Sequence, residues 1–229
     1  SRDAERAHAL FRDACSASHL PACVSLGITF FNGDGVGADV ERARRLFEDA
    51  CDRGEMRGCA YLGDVARVGE QFNSDASAAM PHYERACEAG EMYGCYRLAL
   101  TFEVGNGVEI DRGRAFELMQ RACDADYRQA CVELAYFYAQ GIGVAQDEGR
   151  SEEILERNCD RYAMSACVAL GDLRLADEEY DAAWEHYDHA CGYDAQAGCV
   201  GIGMIYERGL GVEADPERAN YDETGIGTT

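Results

Sequence analysis

The chain has 229 residues, of which 47% are hydrophobic and 28% are charged, a balance typical of a globular protein rather than of a disordered one. No run of residues approaches the roughly 18 to 20 consecutive apolar positions that a membrane-spanning helix requires. The formal net charge is −22, from 43 acidic residues against 21 arginines, and lysine is absent. A nucleic acid or an anionic membrane would meet a repulsive field. The excess of carboxylates therefore serves either solubility or a cationic partner.

The twelve cysteines reveal an internal repeat. They form six pairs whose members are eight positions apart, and successive pairs advance by 36 residues four times and by 32 once. Self-similarity at such a period is typical of a solenoid built from stacked supersecondary units. The pairs are Cys15/Cys23, Cys51/Cys59, Cys87/Cys95, Cys123/Cys131, Cys159/Cys167 and Cys191/Cys199.

The first helix of each repeat, which we call helix B, ends at the first cysteine of a pair. In the first repeat, Ala7, Leu10, Phe11 and Ala14 lead to Cys15 at the spacing of one face of an amphipathic helix. An aspartate opens helix B, where its carboxylate can accept hydrogen bonds from the free backbone N–H groups. The predicted capping residues are Asp3, Asp39, Asp75, Asp111, Asp147 and Asp215.

The second helix, helix A, follows the second cysteine of each pair. In the first repeat it carries Leu26, Gly27 and Phe30. The small residue should let a neighbouring helix approach closely, with the aromatic ring of helix A filling the gap beside it. A glycine pair, here Gly33 and Gly35, then supplies the left-handed conformation that ends a helix.

The helix pattern places the two cysteines of a pair on facing turns. The first lies in the last turn of helix B and the second in the first turn of the next helix A, within reach of a disulfide. Such a short loop would be stabilised by roughly 2–3 kcal/mol per bridge. Zinc is the rival ligand, but a pair eight positions apart lacks the four-ligand spacing of structural zinc sites. The pattern therefore predicts disulfides and an oxidising compartment.

The motif Leu26-Gly27-x-x-Phe30-x-x-Gly33-x-Gly35 resembles the Sel-1-like repeat family, which is related to the tetratricopeptide repeats. The added cysteine pair resembles the Helicobacter cysteine-rich proteins. The resemblance implies an all-α fold, an α/α superhelical solenoid of about six helix-turn-helix repeats with one disulfide per repeat. We expect residues 1–229 to form a single solenoid domain, with the first helix pair incomplete and residues 220–229 frayed or capping.

The sequence provides no catalytic residue, metal site or cofactor that we can assign. A serine β-lactamase of the Ser-x-x-Lys type is excluded because lysine is absent. His82, His186 and His189 lie on predicted helices B and are interpreted as packed or surface-edge side chains. All cysteines belong to pairs, so none is a candidate nucleophile. The resemblance implies one alternative, a weak β-lactam-binding or β-lactam-hydrolysing enzyme or a cell-wall hydrolase.

The remaining candidate site is the concave wall that the family resemblance assigns to the A helices. Residues expected to project inward mix aromatic, acidic and arginine side chains, which suits a peptide, a protein or a cell-wall fragment. An ordinary solvated helix face is the competing interpretation. We predict a secreted or periplasmic scaffold, monomeric and without bound cofactor, that binds a partner there. The predicted binding residues are Tyr61, Asp64, Arg97, Glu103, Glu133, Tyr136, Gln140 and Asp172.

Overall fold

The computed structural model describes residues 2–68, 77–105, 107–161, 163–193 and 195–219. Every regular element within these ranges is a helix, so the all-α prediction is confirmed. None of these helices is long and apolar enough to cross a membrane. The helices are α1 Arg2–Ser16, α2 Leu20–Asn32, α3 Val40–Asp52, α4 Met56–Val68, α5 Met80–Glu88, α6 Met92–Val104, α7 Arg112–Asp124, α8 Arg128–Gln140, α9 Glu148–Cys159, α10 Met164–Ala176, α11 Tyr180–Cys191, α12 Gln196–Arg208 and α13 Pro216–Ala219.

The chain forms two compact units, Ser1–Tyr127 with α1 to α7 and Arg128–Thr229 with α8 to α13. In each unit, every helix packs against the next one along the chain. Helices A, which carry the even numbers, also contact one another, α2 with α4 and α4 with α6 in the first unit, and α10 with α8 and α12 in the second. Each unit is therefore a stack of helix pairs, as the solenoid prediction requires. The single-domain assignment stays a prediction, and residues 220–229 lie outside the described ranges.

The loops that follow α2, α6, α8 and α12, each joining a helix A to the next helix B, are built alike. Gly33 ends α2 with φ of 82°, and the Asp39 backbone N–H donates to the Phe30 carbonyl oxygen at 2.8 Å. The Asp39 carboxylate accepts from the Arg42 backbone N–H at 2.9 Å, which caps α3. The capping prediction is therefore confirmed at Asp39, and the same bond occurs at Asp111, Asp147 and Asp215.

Two of the six predicted caps have a different outcome. Asp3 lies inside α1, which begins at Arg2, so it is a first-turn residue that complements the helix dipole. The prediction that Asp3 is the N-cap is wrong because the helix starts before it. Asp75 lies outside the described residues.

The small residue of helix A does allow a close approach, but the ring that uses the space comes from the next helix B. A Cβ atom built on Gly27 would lie 2.4 Å from the Phe47 ring. Gly63 and Gly171 face the rings of Tyr83 and Tyr187 in the same way, and a Cβ atom built on them would lie 2.4 and 2.5 Å from those rings. The prediction that the aromatic residue of helix A fills the space beside the small residue is therefore wrong. The space is filled by a ring of the next helix B, which stands four positions before that helix's cysteine.

The disulfide prediction is confirmed for every pair. Five bridges have Cα–Cα separations of 4.5 to 4.7 Å, each joining the C-terminal turn of a helix B to the first turn of the following helix A. Cys123 and Cys131 are disulfide-bonded as well, and none of the cysteines is free. These five bridges join Cys15 to Cys23, Cys51 to Cys59, Cys87 to Cys95, Cys159 to Cys167 and Cys191 to Cys199.

The second cysteine of a pair is mostly buried. Cys23 is 2% exposed and Cys59 and Cys95 are fully buried, whereas Cys199 is partly buried. The Cys23 Sγ atom lies 3.6 Å from the Cys15 carbonyl oxygen, and the Cys95 Sγ atom lies 3.7 Å from that of Cys87. A bridged sulfur carries no proton to donate, so these are packing contacts rather than thiol hydrogen bonds. Cys23, Cys59, Cys95 and Cys199 are thus each part of a disulfide, as the sequence predicts.

Candidate functional site

The predicted residues of the first unit do not all face solvent. Asp64 on α4 is only 5% exposed. One oxygen of its carboxylate accepts from the Tyr83 hydroxyl at 2.7 Å and pairs with the Arg97 guanidinium at 2.7 Å. The other oxygen accepts from the Tyr93 hydroxyl. We call these four residues the Asp64 network. It joins α4, α5 and α6.

Electrostatics in the Asp64 network favour a buried ion pair. Burial alone would lower the pKa of Arg97, but the Asp64 charge and the neighbouring tyrosine hydroxyls outweigh it and the pKa is raised. Burial, with the Asp64 charge, raises the pKa of Tyr83 to about 12 and raises that of Tyr93 as well. Both phenols therefore stay protonated and donate to Asp64. The carboxylate is satisfied inside the unit, so we assign Asp64 and Arg97 to support of the surface rather than to ligand contact.

The predicted site residue Asp172, in the second unit, also accepts a hydrogen bond from a tyrosine of the next helix B. It occupies the position of Asp64 in its own repeat, and its carboxylate accepts from the buried Tyr187 hydroxyl at 2.6 Å. Tyr187 occupies the position of Tyr83. The other described helix pairs have apolar or aromatic residues at both places: Ile28 with Phe47, Leu100 with Met119 and Tyr136 with Leu155. Aspartate thus occurs in these pairs only where a tyrosine hydroxyl needs an acceptor.

Beside the Asp64 network lies a series of tyrosine rings, Tyr61, Tyr93, Tyr96 and Tyr127, which we call the tyrosine row. The Tyr61 ring stacks on buried Phe47, with centroids 5.2 Å apart and 19° between the planes. Tyr93 lies 5.0 Å from Tyr61, and Tyr127 lies 6.3 Å from Tyr93 and 5.4 Å from Tyr96. All four tyrosines are partly buried, so each presents part of its ring to solvent while the rest is packed.

The tyrosine row is not a product of the repeat consensus. Tyr61 occupies a position that holds Ser25, Arg97 and Glu133 in other repeats. The position of Tyr93 holds Arg57 and Gln129 in the two adjacent repeats. That of Tyr127 holds Glu55 and Glu91 in the two preceding repeats and Ala163 in the next one. Tyr61 was predicted from the sequence, but Tyr93, Tyr96 and Tyr127 were not. Aligning the repeats and asking where an aromatic replaces a polar residue would have found Tyr93 and Tyr127.

The other predicted binding residues are placed as follows. Glu103 is half-buried on α6 in the first unit. In the second unit, Glu133, Tyr136 and Gln140 lie on one face of α8, at the spacing of successive helical turns. Tyr136 is 51% exposed, whereas Glu133 is half-buried and its pKa is raised by burial. Their role in binding stays a prediction.

No finding supports the hydrolase alternative. The one group of potential metal ligands found among the described residues consists of Cys159, Cys167 and His189. Two of these are joined in a disulfide, whose sulfur atoms are not thiolates. Burial lowers the pKa of His82 and of His186, and nearby arginines lower both further. These histidines are partly buried helix residues, in agreement with their interpretation as packed side chains.

Comparison with solved structures places the chain among Sel1-like solenoids. It resembles c5321, a protective antigen of uropathogenic Escherichia coli, at 24% identity and a TM-score of 0.62, covering 94% of this chain and 47% of that one. A Sel1 repeat protein of Oxalobacter formigenes matches at 24% identity and a TM-score of 0.68, covering 87% and 59%. The chain therefore spans about half the length of these two relatives. Cysteine-rich protein B of Helicobacter pylori matches at 26% identity and a TM-score of 0.46, covering 57% and 93%.

Among curated proteins, no sequence matches the chain. The family model of the Sel1 repeat, in contrast, matches six segments that together span most of it, residues 1–19, 20–55, 58–91, 93–127, 128–160 and 196–221. The segments follow the period that the cysteines mark, and the family predicted from the sequence is confirmed. The chain belongs to the Sel1 repeat family.

Proposed function

We propose that this protein is an extracytoplasmic interaction scaffold that captures a peptide segment of a partner protein on the tyrosine row of its first unit. Sel1 repeat proteins mediate protein–protein interaction, and the repeat consensus specifies packing rather than the ligand. The residues that depart from the consensus are therefore the ones that select a partner. The tyrosine row departs from the other repeats in this way, because Tyr61, Tyr93 and Tyr127 stand where polar residues occur elsewhere.

The tyrosine row suits a protein partner because its rings are both amphipathic and pre-organised. Tyrosine supplies a large apolar face and a polar edge with few rotatable bonds, so little conformational entropy is lost when a ligand binds. Tyr93 is held at its hydroxyl by Asp64, and Tyr61 is held at its face by Phe47. A peptide side chain can pack on these rings while its backbone meets the hydroxyl edges. The Asp64 network thus acts as the rigid support of the surface.

An oxidising location outside the cytoplasm is part of the proposal. Disulfides in every repeat are retained only where thiols are not continuously reduced, as in the periplasm or outside the cell. Because the net charge of the chain is −22 and would repel an acidic peptide, the partner segment carries neutral or basic residues. A cell-wall fragment fits this surface less well, because the row offers a line of rings rather than an enclosed sugar-sized pocket.

The proposal is tested by selecting peptides from a random display library on the intact protein and measuring the affinity of the winners by calorimetry. Truncating a central aromatic anchor should weaken binding about ten-fold or more. We therefore expect that loss for Tyr61→Ala and for Tyr127→Ala, with Tyr127→Phe close to wild type. Tyr193→Ala is the matched control, since Tyr193 is 54% exposed and lies outside the row.

Circular dichroism of each variant separates loss of binding from loss of folding. Peptides that bind the wild type and all row variants equally would exclude the tyrosine row as the binding surface. Peptides whose affinity falls with Tyr136→Ala instead would move the site to α8 of the second unit.

A further inference from the structure

A pocket in the second unit lies between α11, α12 and the loop that follows α12. Its volume is about 350 Å³, and side chains of Tyr180, Trp184 and Tyr206 form its aromatic lining. Asp181 and Glu185, one helical turn apart on α11, add two acidic side chains. Among the described residues, none that lines the pocket is basic. Aromatic rings combined with carboxylates form a surface that favours cations over neutral or anionic groups.

The matching face of α3 shows how the chain itself satisfies a carboxylate at this place. Arg44 occupies the position of Trp184 there. Glu41 occupies that of Asp181. The Arg44 guanidinium donates to the Glu41 carboxylate at 2.6 Å and to the Glu48 carboxylate at 2.9 Å. A guanidinium group is therefore the internal partner of this carboxylate in an equivalent helix B.

Both basic residues of that face are lost in α11. Trp184 stands where α3 has Arg44. Glu185 stands where α3 has Arg45. Neither carboxylate of the pocket forms an ion pair with a described residue. The acidic position is kept while its internal cation is replaced by a ring, which leaves the place to an external cation. Tyr180 adds a second ring, at a position that holds Ala4, Val40, Arg112 and Glu148 in other repeats.

Other repeats indicate which cation suits rings at this place. Tyr206 occupies the position of Phe30 and Phe102. An arginine of the following helix B lies over each of those two rings, Arg42 at 5.5 Å and Arg114 at 4.4 Å. A guanidinium group is planar and weakly hydrated, so it can lie on a ring while its N–H groups donate to carboxylates beside the ring. An ammonium group is compact and strongly hydrated, and contact with the rings removes more of its hydration.

The nearby arginines of the second unit do not fill the pocket. Arg218 lies over Tyr206 at 5.7 Å, but it is paired with Asp215 at 3.3 Å. Arg174 lies 3.6 Å from the Glu179 carboxylate. Neither arginine is among the residues that line the pocket. The negative charge of the lining is therefore left to an external partner.

We infer that this pocket binds a guanidinium group, carried by a free small molecule or by an arginine side chain of a peptide. The guanidinium plane packs on the rings of Tyr180 and Trp184, and its N–H groups donate to Asp181 and Glu185. The site is separate from the tyrosine row of the first unit and does not depend on the function proposed for that surface.

Titration of the intact protein with three matched compounds tests the inference. The Nα-acetyl amides of arginine, lysine and citrulline differ only in presenting a guanidinium, an ammonium or a neutral urea group. The chain contains one tryptophan, so the single indole N–H signal in proton–nitrogen NMR spectra reports on this pocket. The arginine compound should shift the signal saturably, with a dissociation constant on the order of 1 mM. The lysine compound should bind about three-fold more weakly or worse, and the citrulline compound should leave the signal unchanged.

Variants that restore the residues of α3 link the binding to the pocket. Glu185→Arg reinstates the charge of Arg45 at an exposed position and should weaken binding of the arginine compound about ten-fold or more. Tyr180→Val should remove its advantage over the lysine compound, because a ring is lost. Asp181→Asn should weaken binding about three-fold. Asp188→Asn is the matched control, being an exposed acid on the same helix outside the pocket. Circular dichroism checks the fold of each variant.

A capped Gly-Arg-Gly peptide separates the two sources of the group. Tighter binding of the peptide than of the arginine amide would assign the guanidinium to a peptide partner, and equal binding would assign it to a small molecule; both results support the inference. Three outcomes would overturn it: no saturable shift with the arginine compound, equal affinity for the arginine and lysine compounds, or unaltered binding in both Glu185→Arg and Tyr180→Val. None of these results bears on peptide binding by the tyrosine row.

Discussion

At the residue scale, the contrast between Asp64 and Asp172 shows how one repeat position serves two environments. Both carboxylates accept from a buried tyrosine hydroxyl. Asp64 also faces Arg97, whose side chain is 18% exposed, whereas Asp172 itself is an exposed residue and no ion pair is recorded for it among the described residues. An isosteric loss of charge should therefore have different consequences at the two sites.

We expect Asp64→Asn to destabilise the first unit by roughly 3 kcal/mol, because it leaves Arg97 buried without a counter-charge. Asp172→Asn should lose less than about 1 kcal/mol, since the amide oxygen still accepts from Tyr187. Urea unfolding at neutral pH with the disulfides intact measures both, using circular dichroism for the whole chain and Trp184 emission for the second unit. Equal losses in the two variants would contradict the Arg97 pairing.

Tyr83 makes stability depend on alkaline pH. Its pKa is raised from 10.0 to about 12 in the folded chain, first by burial and then by the Asp64 charge. Because the pKa is raised on folding, the contribution of the protonated Tyr83 hydroxyl to the free energy of unfolding is complete below pH 10. It is lost as the pH rises to about 12. The urea midpoint of the wild type should therefore fall across this interval more steeply than that of Tyr83→Phe. The fall should persist in part, because the pKa of Tyr127 is also raised to about 12.

Rapid mixing and a free-thiol assay at each pH guard against loss of disulfides in base. If Tyr83→Phe followed the wild-type curve in parallel, ionisation of Tyr83 would have no part in the alkaline loss.

At the scale of the element, the loop after helix A depends on backbone space. Gly35 has φ of 70°, and a Cβ built there would lie 2.3 Å from the Ala4 carbonyl carbon. Gly37, two positions on, has no atom within 4 Å of such a Cβ. The same loop therefore holds one glycine that cannot be replaced and one that can.

We expect Gly35→Ala to lower stability by about 2 kcal/mol or more, because strain at positive φ adds to a clash with backbone that cannot rotate away. Gly37→Ala should change stability by less than about 0.5 kcal/mol, or raise it slightly by restricting the unfolded chain. Thermal unfolding followed by circular dichroism compares the two. A loss at Gly37 equal to that at Gly35 would mean that the loop conformation, rather than contact with α1, sets the limit.

In the repeat that contains α10, the loop after helix A has no glycine pair and the contacts of helix A differ. Arg174 stands on α10 where Phe30, Phe102, Tyr138 and Tyr206 stand in other repeats. Its guanidinium contacts the Glu152 carboxylate and lies 3.6 Å from that of Glu179. Where the glycine loop is present, arginines of the next helix B stack on the aromatic ring instead, as Arg114 does on Phe102 at 4.4 Å. Arg174 thus forms ion pairs with the preceding helix B and with the residue before α11, whereas the aromatic residues of the other helices A contact an arginine of the following helix B.

Helices, caps and bridges could be predicted from the sequence because they depend on local spacing: period 3.6, an aspartate at the helix start, a cysteine eight positions from its partner. The Asp64 network could not, because it joins residues 19, 29 and 33 positions apart on three helices. The family resemblance assigns Asp64 to the inner wall without reference to Tyr83, whose hydroxyl donates to it. Of the tyrosine row, only Tyr61 is among the predicted binding residues, because the other three rings meet through packing between helices and loops.

At the scale of the whole molecule, repeat packing leaves each helix pair in contact mainly with its neighbours. A chain of this kind has few long-range contacts to hold it together, and one bridge per repeat compensates. Each bridge closes a loop of about nine residues in the unfolded chain, which corresponds to about 2–3 kcal/mol. Six such contributions are comparable with the whole stability of a typical domain, about 5–15 kcal/mol.

We therefore expect the fully reduced chain to lose most of its helical circular dichroism at room temperature, with mass spectrometry confirming twelve free thiols. The double variant Cys51→Ala/Cys59→Ala should stay folded and lose about 2–3 kcal/mol in urea unfolding. It serves as the matched control, because Cys51 and Cys59 are both buried and alanine leaves little space unfilled. A reduced chain that unfolded cooperatively at the urea midpoint of the oxidised one would show that packing alone sustains the solenoid. The fold would then not require an oxidising compartment, since the reduced chain would stay folded as well.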